Sequence, residues 1–374
     1  MARTLYPTIV VEGDGLTRGR MYGALAKAQI ENSVSSYKRM FLHWAGLDWE
    51  RARVEAMKFV PAVERFDPEI MAEIRGIAEG AGVTVDEIMA LNVRYEVVFS
   101  SAMFSECTSV AALPEVTQTG HLLMGQNWDW QPSASRSCIV LHIKQPGRPS
   151  IVTFVEAGIV AKVGLNSAGI GLCVNTLASS DFARHKVPVH AILRAILNAR
   201  TLSEAIAVVL RAERASSCNY LVASKAGEAI DLEATSRDVY YLYPQNGAVA
   251  HANHFIYDQT AVKDLGKLSF PDSLIRSSRA SRLLSLQRGK IDLSTLQSVF
   301  RDHVSWPDSI CRHENESLPG QERLVTVGSI LMDLTEMRMW LTDGPPCERD
   351  YREVELCFTH STCACPAKRT SGCR

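Results

Sequence analysis

At 374 residues, with 46% hydrophobic and 22% charged side chains, the chain has the composition of a globular protein with a substantial core. Disordered and collagen-like classes are excluded. A formal net charge of −1 and a pI near 6.8 leave no basic footprint, so neither nucleic acid nor an anionic membrane is expected as a partner.

The N-terminal Met1-Ala2-Arg3-Thr4-Leu5-Tyr6-Pro7 has no apolar core of signal-peptide length, and no segment approaches the ~20 apolar residues of a membrane span. Residues 20 to 100 read as mainly helical. Asp67 with Pro68 and Glu69 is a helix start with Pro at the first position, and Thr84 with Glu87 has capping-box spacing. Gly80-Ala81-Gly82 separates these two helices.

From Leu122 to Leu177 the pattern changes to short β-rich runs such as Ile139-Val140-Leu141-His142-Ile143, divided by Gly-rich turns. Helical spacing returns over 186–213, where Thr201 and Glu204 repeat the capping interval. Residues 219–252 read as strands, 272–303 as helices and Ser329 to Thr342 as late strands. Residues 359–374, rich in Cys, Ser and Thr, are expected to form a disordered tail. Blocks of helix, sheet, helix and sheet fit two sheets covered by helices, with no internal repeat or interdomain linker.

The most informative feature begins just ahead of the first sheet region. Cys107-Thr108-Ser109 precedes Gly125-Gln126-Asn127-Trp128-Asp129, which sets two amides and a carboxylate in an apolar stretch. Buried polar groups are kept where they find partners or do chemistry. A free Cys is by itself usually a small buried hydrophobe.

Together with Glu156-Ala157-Gly158, Gly164-Leu165-Asn166-Ser167-Ala168-Gly169, His251-Ala252-Asn253-His254 and Ser309-Ile310-Cys311-Arg312, these segments resemble the isopenicillin N acyltransferase family in order and separation. More distantly the chain is similar to the cholylglycine hydrolases. The likeness runs from near the N-terminus to about Phe358. It implies an α+β fold, the four-layer αββα sandwich of N-terminal-nucleophile hydrolases. It further implies self-cleavage between Glu106 and Cys107, giving a helical small chain of residues 1–106 and a catalytic part of residues 107–358.

By the same resemblance Asp129 holds the amine of the nucleophile, Asn253 is the oxyanion-hole amide, Asn175 a second site asparagine and Arg323 a site arginine. Glu106 stands where the penicillin acyltransferase has Gly, and Glu322 where it has a serine; the serine-dependent part of that site is not carried over. Cys218 also replaces a family serine and is expected to be a packed core residue.

Acidity explains why an N-terminal cysteine suits acyl transfer. An α-amine with a pKa of about 7.7 to 8.0 is partly free base at neutral pH, and a thiol near 8.5 needs little help to ionise. While Cys107 is joined to Glu106 its nitrogen is an amide without basicity. The expected activity is cleavage of a small N-acyl or peptide-like amide through a Cys107 acyl-thioester, with water or an amine as acceptor. The alternative is a non-catalytic protein that keeps the sandwich and binds a small molecule.

No Gly-rich nucleotide loop is present, so no cofactor is expected; a coenzyme A thioester would be a substrate. The partners are a small amide or acyl thioester and the chain's own cleaved N-terminal part. No metal site is expected either. His251 with His254, and Cys311 with His313, supply only two ligands each, while Cys357, Cys363, Cys365 and Cys373 lack CxxC spacing. Scattered cysteines and a C-terminal Ser371-Gly372-Cys373-Arg374 that is no peroxisomal address point to the cytoplasm.

Overall fold

The computed structural model describes residues 6–98, 106–258 and 260–358. The tail expected at 359–374 lies outside them, as do residues 99–105 ahead of the candidate cut.

The β-branched run at the start forms strand β1 (Thr8–Glu12), so the N-terminal part is not purely helical. Asp14 caps α1 (Gly15–Leu25), its Oδ1 accepting the Thr17 N–H at 2.8 Å. There follow α2 (Lys27–Ala45), α3 (Trp49–Met57), α4 (Val60–Phe66), α5 (Pro68–Ala81), α6 (Val85–Asn92) and α7 (Arg94–Val98). Asp67 accepts the Glu69 N–H at 3.0 Å at the start of α5, and Gly82, in a left-handed conformation at φ 70°, ends it. Thr84 N–H reaches Glu87 Oε2 at 3.2 Å, which is one half of the expected capping box. Helices α1 and α5 pack so closely that a Cβ on Gly19 would lie 2.3 Å from the Glu73 carbonyl oxygen.

Most strands fall in the sheet regions read from the sequence, but those at Glu106–Ala112 and Arg352–Val354 lie outside them. Next along the chain are β2 (Glu106–Ala112), β3 (Leu123–Trp130), β4 (Cys138–Lys144), β5 (Ile151–Glu156), β6 (Val163–Asn166) and β7 (Ile170–Thr176). After α8 (Val189–Leu197) and α9 (Leu202–Arg211) come β8 (Cys218–Ser224), β9 (Glu228–Ala234), β10 (Val239–Leu242) and β11 (Ala248–His251). The last third holds α10 (Gly266–Ser269), α11 (Asp272–Leu286), α12 (Leu293–Phe300), β12 (Val325–Asp333), β13 (Arg338–Leu341) and β14 (Arg352–Val354).

These strands form two sheets. One has eight strands in the order β1-β4-β5-β6-β7-β8-β9-β10, the other six in the order β11-β2-β3-β12-β13-β14. Among the described residues β1 alone pairs in parallel, with β4, and the other strand pairs are antiparallel. Strands β2 and β3 stack on β7 and β8, while α8 and α9 cover β6, β7 and β8, and α11 and α12 cover β11, β2, β3 and β12. The result is the four-layer αββα sandwich of the N-terminal-nucleophile hydrolases.

The period-2 alternation of strands sorts β2 between two cores. Cys107 and Ala111 belong to the core that fills the space between the sheets, whereas Val110 and Ala112 pack under α11 and α12 with Leu284, Leu296 and Phe300. The first strand of the inner layer therefore carries its sulfur inward. Among the described residues no helix is long and apolar enough to cross a membrane.

Candidate active site

Cys107 is the second residue of β2, opposite Trp128 of β3, and is 1% exposed. Its main chain is gripped on both sides. The Cys107 N–H donates to Asn253 Oδ1 at 2.9 Å, just beyond β11. The Cys107 carbonyl oxygen accepts from Arg276 Nη1 at 2.8 Å and from Asn175 Nδ2 at 3.2 Å.

Arg276, fully buried on α11, links these groups. Its Nη2 donates to Asn253 Oδ1 at 3.1 Å, its Nη1 also to Thr108 Oγ1 at 3.0 Å, and its Nε to Asp272 Oδ2 at 2.8 Å. The two donors converging on Asn253 Oδ1 fix the orientation of that amide, and its Nδ2 donates to the Thr176 carbonyl at 3.0 Å. In the uncut chain Asn253 thus meets the nitrogen of Cys107 as an acceptor, and one of its two Nδ2 hydrogens goes to the Thr176 carbonyl. The sequence expected it to present that donor to an oxyanion.

Asn175, at the end of β7, joins the two sheets. Its Oδ1 accepts from Ser109 Oγ at 2.6 Å and from Asn219 Nδ2 at 3.3 Å, and Asn219 continues to Asp231 Oδ1 at 2.7 Å. Burial pushes the Asp231 carboxyl up to about 6.

Asp129 lies opposite Glu106 across the β2–β3 ladder. Its Oδ1 accepts from Thr326 Oγ1 at 2.7 Å, and its Oδ2 is 3.8 Å from Arg312 Nε. Burial raises this carboxyl to about 6 against the pull of Arg312 and Arg276. Arg312 also reaches Asp272 Oδ2 at 2.5 Å, so Asp129, Arg312, Asp272 and Arg276 form one buried charge chain ending on Cys107.

The sulfur faces a different set. Burial pushes the Cys107 thiol up to about 12, opposed by Lys162 and the Gln126 side chain. Lys162 is fully buried, lies 3.1 Å from the Trp128 ring centroid, and is itself lowered to about 7 by burial and by Arg94. Among the described residues Lys162 Nζ, Gln126 Nε2 and Trp128 Nε1 make no hydrogen bond. Gln126 favours the thiolate as a side-chain donor toward the sulfur, although its Nε2 meets no partner at normal hydrogen-bond geometry. Its Oε1 is taken by the Val174 N–H at 2.8 Å, so the amide is anchored with its donor uncommitted. Nearby, Glu156 of the Glu-Ala-Gly motif pairs with buried Arg94 and accepts from Tyr37 Oη at 2.7 Å.

Arg323 lies elsewhere. It is on a loop, where Nε donates to the Leu318 carbonyl at 3.0 Å and Nη2 to the Glu316 carbonyl at 3.1 Å. None of these contacts reaches Cys107, Asp129 or Asn253. Cys218 is buried in the core as expected. His251 pairs with Glu233 at 2.7 Å and His254 with Ser273 Oγ at 2.7 Å, so this pair builds no metal site. By contrast, His303, Cys311, His313 and Cys347 bring four ligand atoms within 4.8 Å of one another. A cavity of about 670 Å³ is walled by Leu47, Arg51, Val54, Glu96, Val97 and Phe182, and Cys107 does not line it.

Residues 116–347 match the acyl-coenzyme A:6-aminopenicillanic acid acyl-transferase family. The chain belongs to this family. It is 32% identical over 282 residues to the 40 kDa form of acyl-coenzyme A:6-aminopenicillanic-acid-acyltransferase from Emericella nidulans, covering 75% of this chain and 76% of that one. It is 25% identical over 202 residues to an N-acylethanolamine-hydrolyzing acid amidase of Caenorhabditis elegans, covering 48% and 55%. A conjugated bile acid hydrolase variant from Clostridium perfringens superposes with a TM-score of 0.47 at 13% identity, over 68% of this chain and 98% of that one. For penicillin V acylase from Agrobacterium tumefaciens the TM-score is 0.45 at 14% identity, over 63% and 83%.

Against this family background, Arg276, Arg312, Lys162 and the uncommitted amide of Gln126 are what the sequence left unassigned. Gln126 and Arg312 sat inside quoted motifs without a role. Arg276 had one local signal, its i,i+4 spacing from Asp272 on a helix. Lys162 had a signal as well: a lone cation between Val160-Ala161 and Val163-Gly164 in an apolar run.

Proposed function

We propose that this family member is a self-processing enzyme in which Cys107, once freed from Glu106, is the nucleophile for acyl transfer from a small amide or acyl thioester. The observation that carries the reading is the double grip on Cys107, with Asn253 on its nitrogen and Arg276 and Asn175 on its carbonyl, while its sulfur faces uncommitted donors.

Processing begins with the Cys107 thiol. Its sulfur adds to the Glu106 carbonyl carbon, the C–N bond to Cys107 breaks, and the nitrogen takes up a proton. A thioester then joins Glu106 to Cys107 Sγ. Water hydrolyses it, leaving a Glu106 carboxylate, a free thiol and a free α-amine. Before the cut the thiol, held near 12, is ionised to only about one part in 10⁵ at pH 7. The uncut chain is therefore a weak nucleophile with no base of its own.

After the cut the amine, held by Asn253 Oδ1, takes the thiol proton as sulfur attacks the substrate carbonyl. The same proton returns to the leaving amine or thiolate. Gln126 Nε2 is the amide donor available on the sulfur's face for the developing oxyanion, and Lys162 adds a second donor there. Arg276 and Asn175 fix the strand that carries both groups. Water as acceptor gives hydrolysis, the reaction in the name of the nematode relative; an amine gives transfer, the reaction in the name of the Emericella relative. Coenzyme A enters this scheme only as the leaving group of a thioester substrate.

Intact-mass spectrometry of the wild type beside Cys107→Ala tests the reading. Two chains with Cys107 at a new N-terminus, and a single uncut chain from the variant, are expected. One full-length mass from both would overturn self-processing and favour a binding protein that retains ligand affinity in Cys107→Ala.

A further inference from the structure

His303, Cys311 and His313 lie on the loop that follows α12, and the fold brings Cys347 to them. Cys311 Sγ is 3.5 Å from Cys347 Sγ and 3.6 Å from His313 Nε2; Cys347 Sγ is 3.2 Å from His313 Nε2. His313 Nε2 is 3.3 Å from His303 Nε2. All four ligand atoms fall within 4.8 Å of one another.

Hydrogen bonding does not account for this convergence. Two neutral imidazoles facing through Nε2 can share one proton, and two thiols are weak donors and acceptors, so four such groups gain little by meeting at one point. A cation at the centre does account for it. With Zn–S of about 2.3 Å and Zn–N of about 2.0 to 2.1 Å, a tetrahedron has edges of roughly 3.8 Å (S to S), 3.6 Å (S to N) and 3.3 Å (N to N). The four printed separations, 3.2 to 3.6 Å, lie within a few tenths of an ångström of these edges, the N-to-N one at 3.3 Å among them.

The surroundings also match. His313 Nδ1, the ring nitrogen away from the cluster, is 3.4 Å from Glu348 Oε1, the carboxylate–histidine arrangement that orients a metal-binding imidazole. The Cys347 backbone N–H supports the Cys311 sulfur. Two thiolates and a divalent cation make a neutral set, and thiolate with imidazole in tetrahedral S₂N₂ array selects zinc among common ions.

We propose that His303, Cys311, His313 and Cys347 form a structural zinc site. This proposal is independent of the reading of Cys107. All four positions are filled by protein, which marks a closed structural site rather than one that activates water. Its place in the fold gives it a task. Arg312, between two ligands, contacts Asp129 and Asp272, and its N–H donates to Thr326 Oγ1 at 2.9 Å, the hydroxyl that bonds Asp129. The metal would tie this loop to the turn after β13 and hold Arg312 against the carboxylate behind the candidate nucleophile. Sequence spacing hid the set, because His303 and Cys347 flank the visible Cys-x-His pair at unequal separations.

The experiment is metal analysis of the full-length chain purified without chelator, with cobalt(II) loading of metal-stripped protein. About one zinc per chain, and a cobalt spectrum with tetrahedral ligand-field bands and thiolate charge transfer, are expected. Zinc should be lost at least tenfold in affinity in Cys347→Ser and in His303→Ala, both at exposed positions where folding is spared. Absence of zinc together with no thiolate–cobalt band overturns the proposal. So does zinc content unchanged in both variants, which would make the ion adventitious. A Cys311–Cys347 linked peptide in a non-reducing digest of freshly purified protein would assign the two thiols to a disulfide instead.

Discussion

Replacing Lys162 with Met tests the electrostatics around Cys107 more sharply than replacing the cysteine. Lys162 is buried without a hydrogen-bond partner among the described residues, and burial lowers it from 10.5 to about 7. Between these values the unfolded chain binds the proton that the folded chain has released, so this residue makes stability rise with pH from about 7 to about 10. At pH 7 the folded state bears a cost of about 4 kcal/mol relative to an unperturbed lysine. A cation on a Trp face returns about 2 kcal/mol when desolvated. Met fills nearly the same volume without the charge, so the variant should be more stable at pH 7 by about 2 to 4 kcal/mol. Its advantage should shrink by about 2 kcal/mol by pH 9. Urea unfolding in the Cys107→Ala background, where the chain stays whole, measures this at both pH values. Lys162→Met alone should meanwhile cleave more slowly, because the cation that lowers the Cys107 thiol is gone. A variant less stable than its parent at pH 7, or with the same advantage at both pH values, would refute the reasoning.

Arg276→Met removes the donor from Cys107 O, Thr108 and Asn253 at once and leaves Asp272 partly unpaired. A loss of about 3 to 5 kcal/mol in unfolding free energy is expected, with slower cleavage by intact mass. Gln126→Leu should lower kcat by about 10² to 10³ with KM little changed, if Gln126 Nε2 meets the oxyanion. It should cost only about 1 kcal/mol of stability, from the Val174 N–H left behind. Asp129, raised from 3.8 to about 6, releases its proton later in the folded chain than in the unfolded one, so stability falls as pH rises from about 4 to 6. Asp129→Asn in the uncut background should abolish about 2 kcal/mol of that fall, read from unfolding curves at pH 4.5 and 7. An unchanged pH slope would show that the carboxyl is not desolvated.

The sequence made the layers legible because their signals are local. Asp67-Pro68, Thr84 and Thr201 announced helix starts, and the alternating runs from Leu122 onward announced sheets. The missed edge strand β1 depends on a partner more than 120 residues away, β4, and five residues alone cannot reveal it. In the candidate site Asn253 and Asn175 both contact the main chain of Cys107, since each ends or adjoins a strand. Arg323 was carried over by alignment across a loop, where position along the chain says little about position in space. Arg276 takes the place beside the nucleophile from a helix, and its role depends on which face of α11 meets β2. The proposed zinc ligands illustrate the same limit: three of the four share one loop, and Cys347 needed the fold.

On the proposed reading, the uncut chain keeps its reactants mismatched. The thiol is held near 12 and its future base is an amide, while burial keeps Asp129 near 6 against the pull of Arg312 and Arg276. Opening the Glu106–Cys107 bond turns the amide into an amine of pKa about 7.7 to 8.0 beside Asn253 Oδ1 and near Asp129. A carboxylate left alone with that amine would hold it protonated, and a protonated amine cannot take the thiol proton. Arg312 and Thr326 draw on the same carboxylate and limit that pull, so the amine stays near neutrality where it works as a base. Arg312 can do this only if its loop is fixed, and both residues that flank it are candidate metal ligands. A site remote from the sulfur would thus set the acidity on which the sulfur depends.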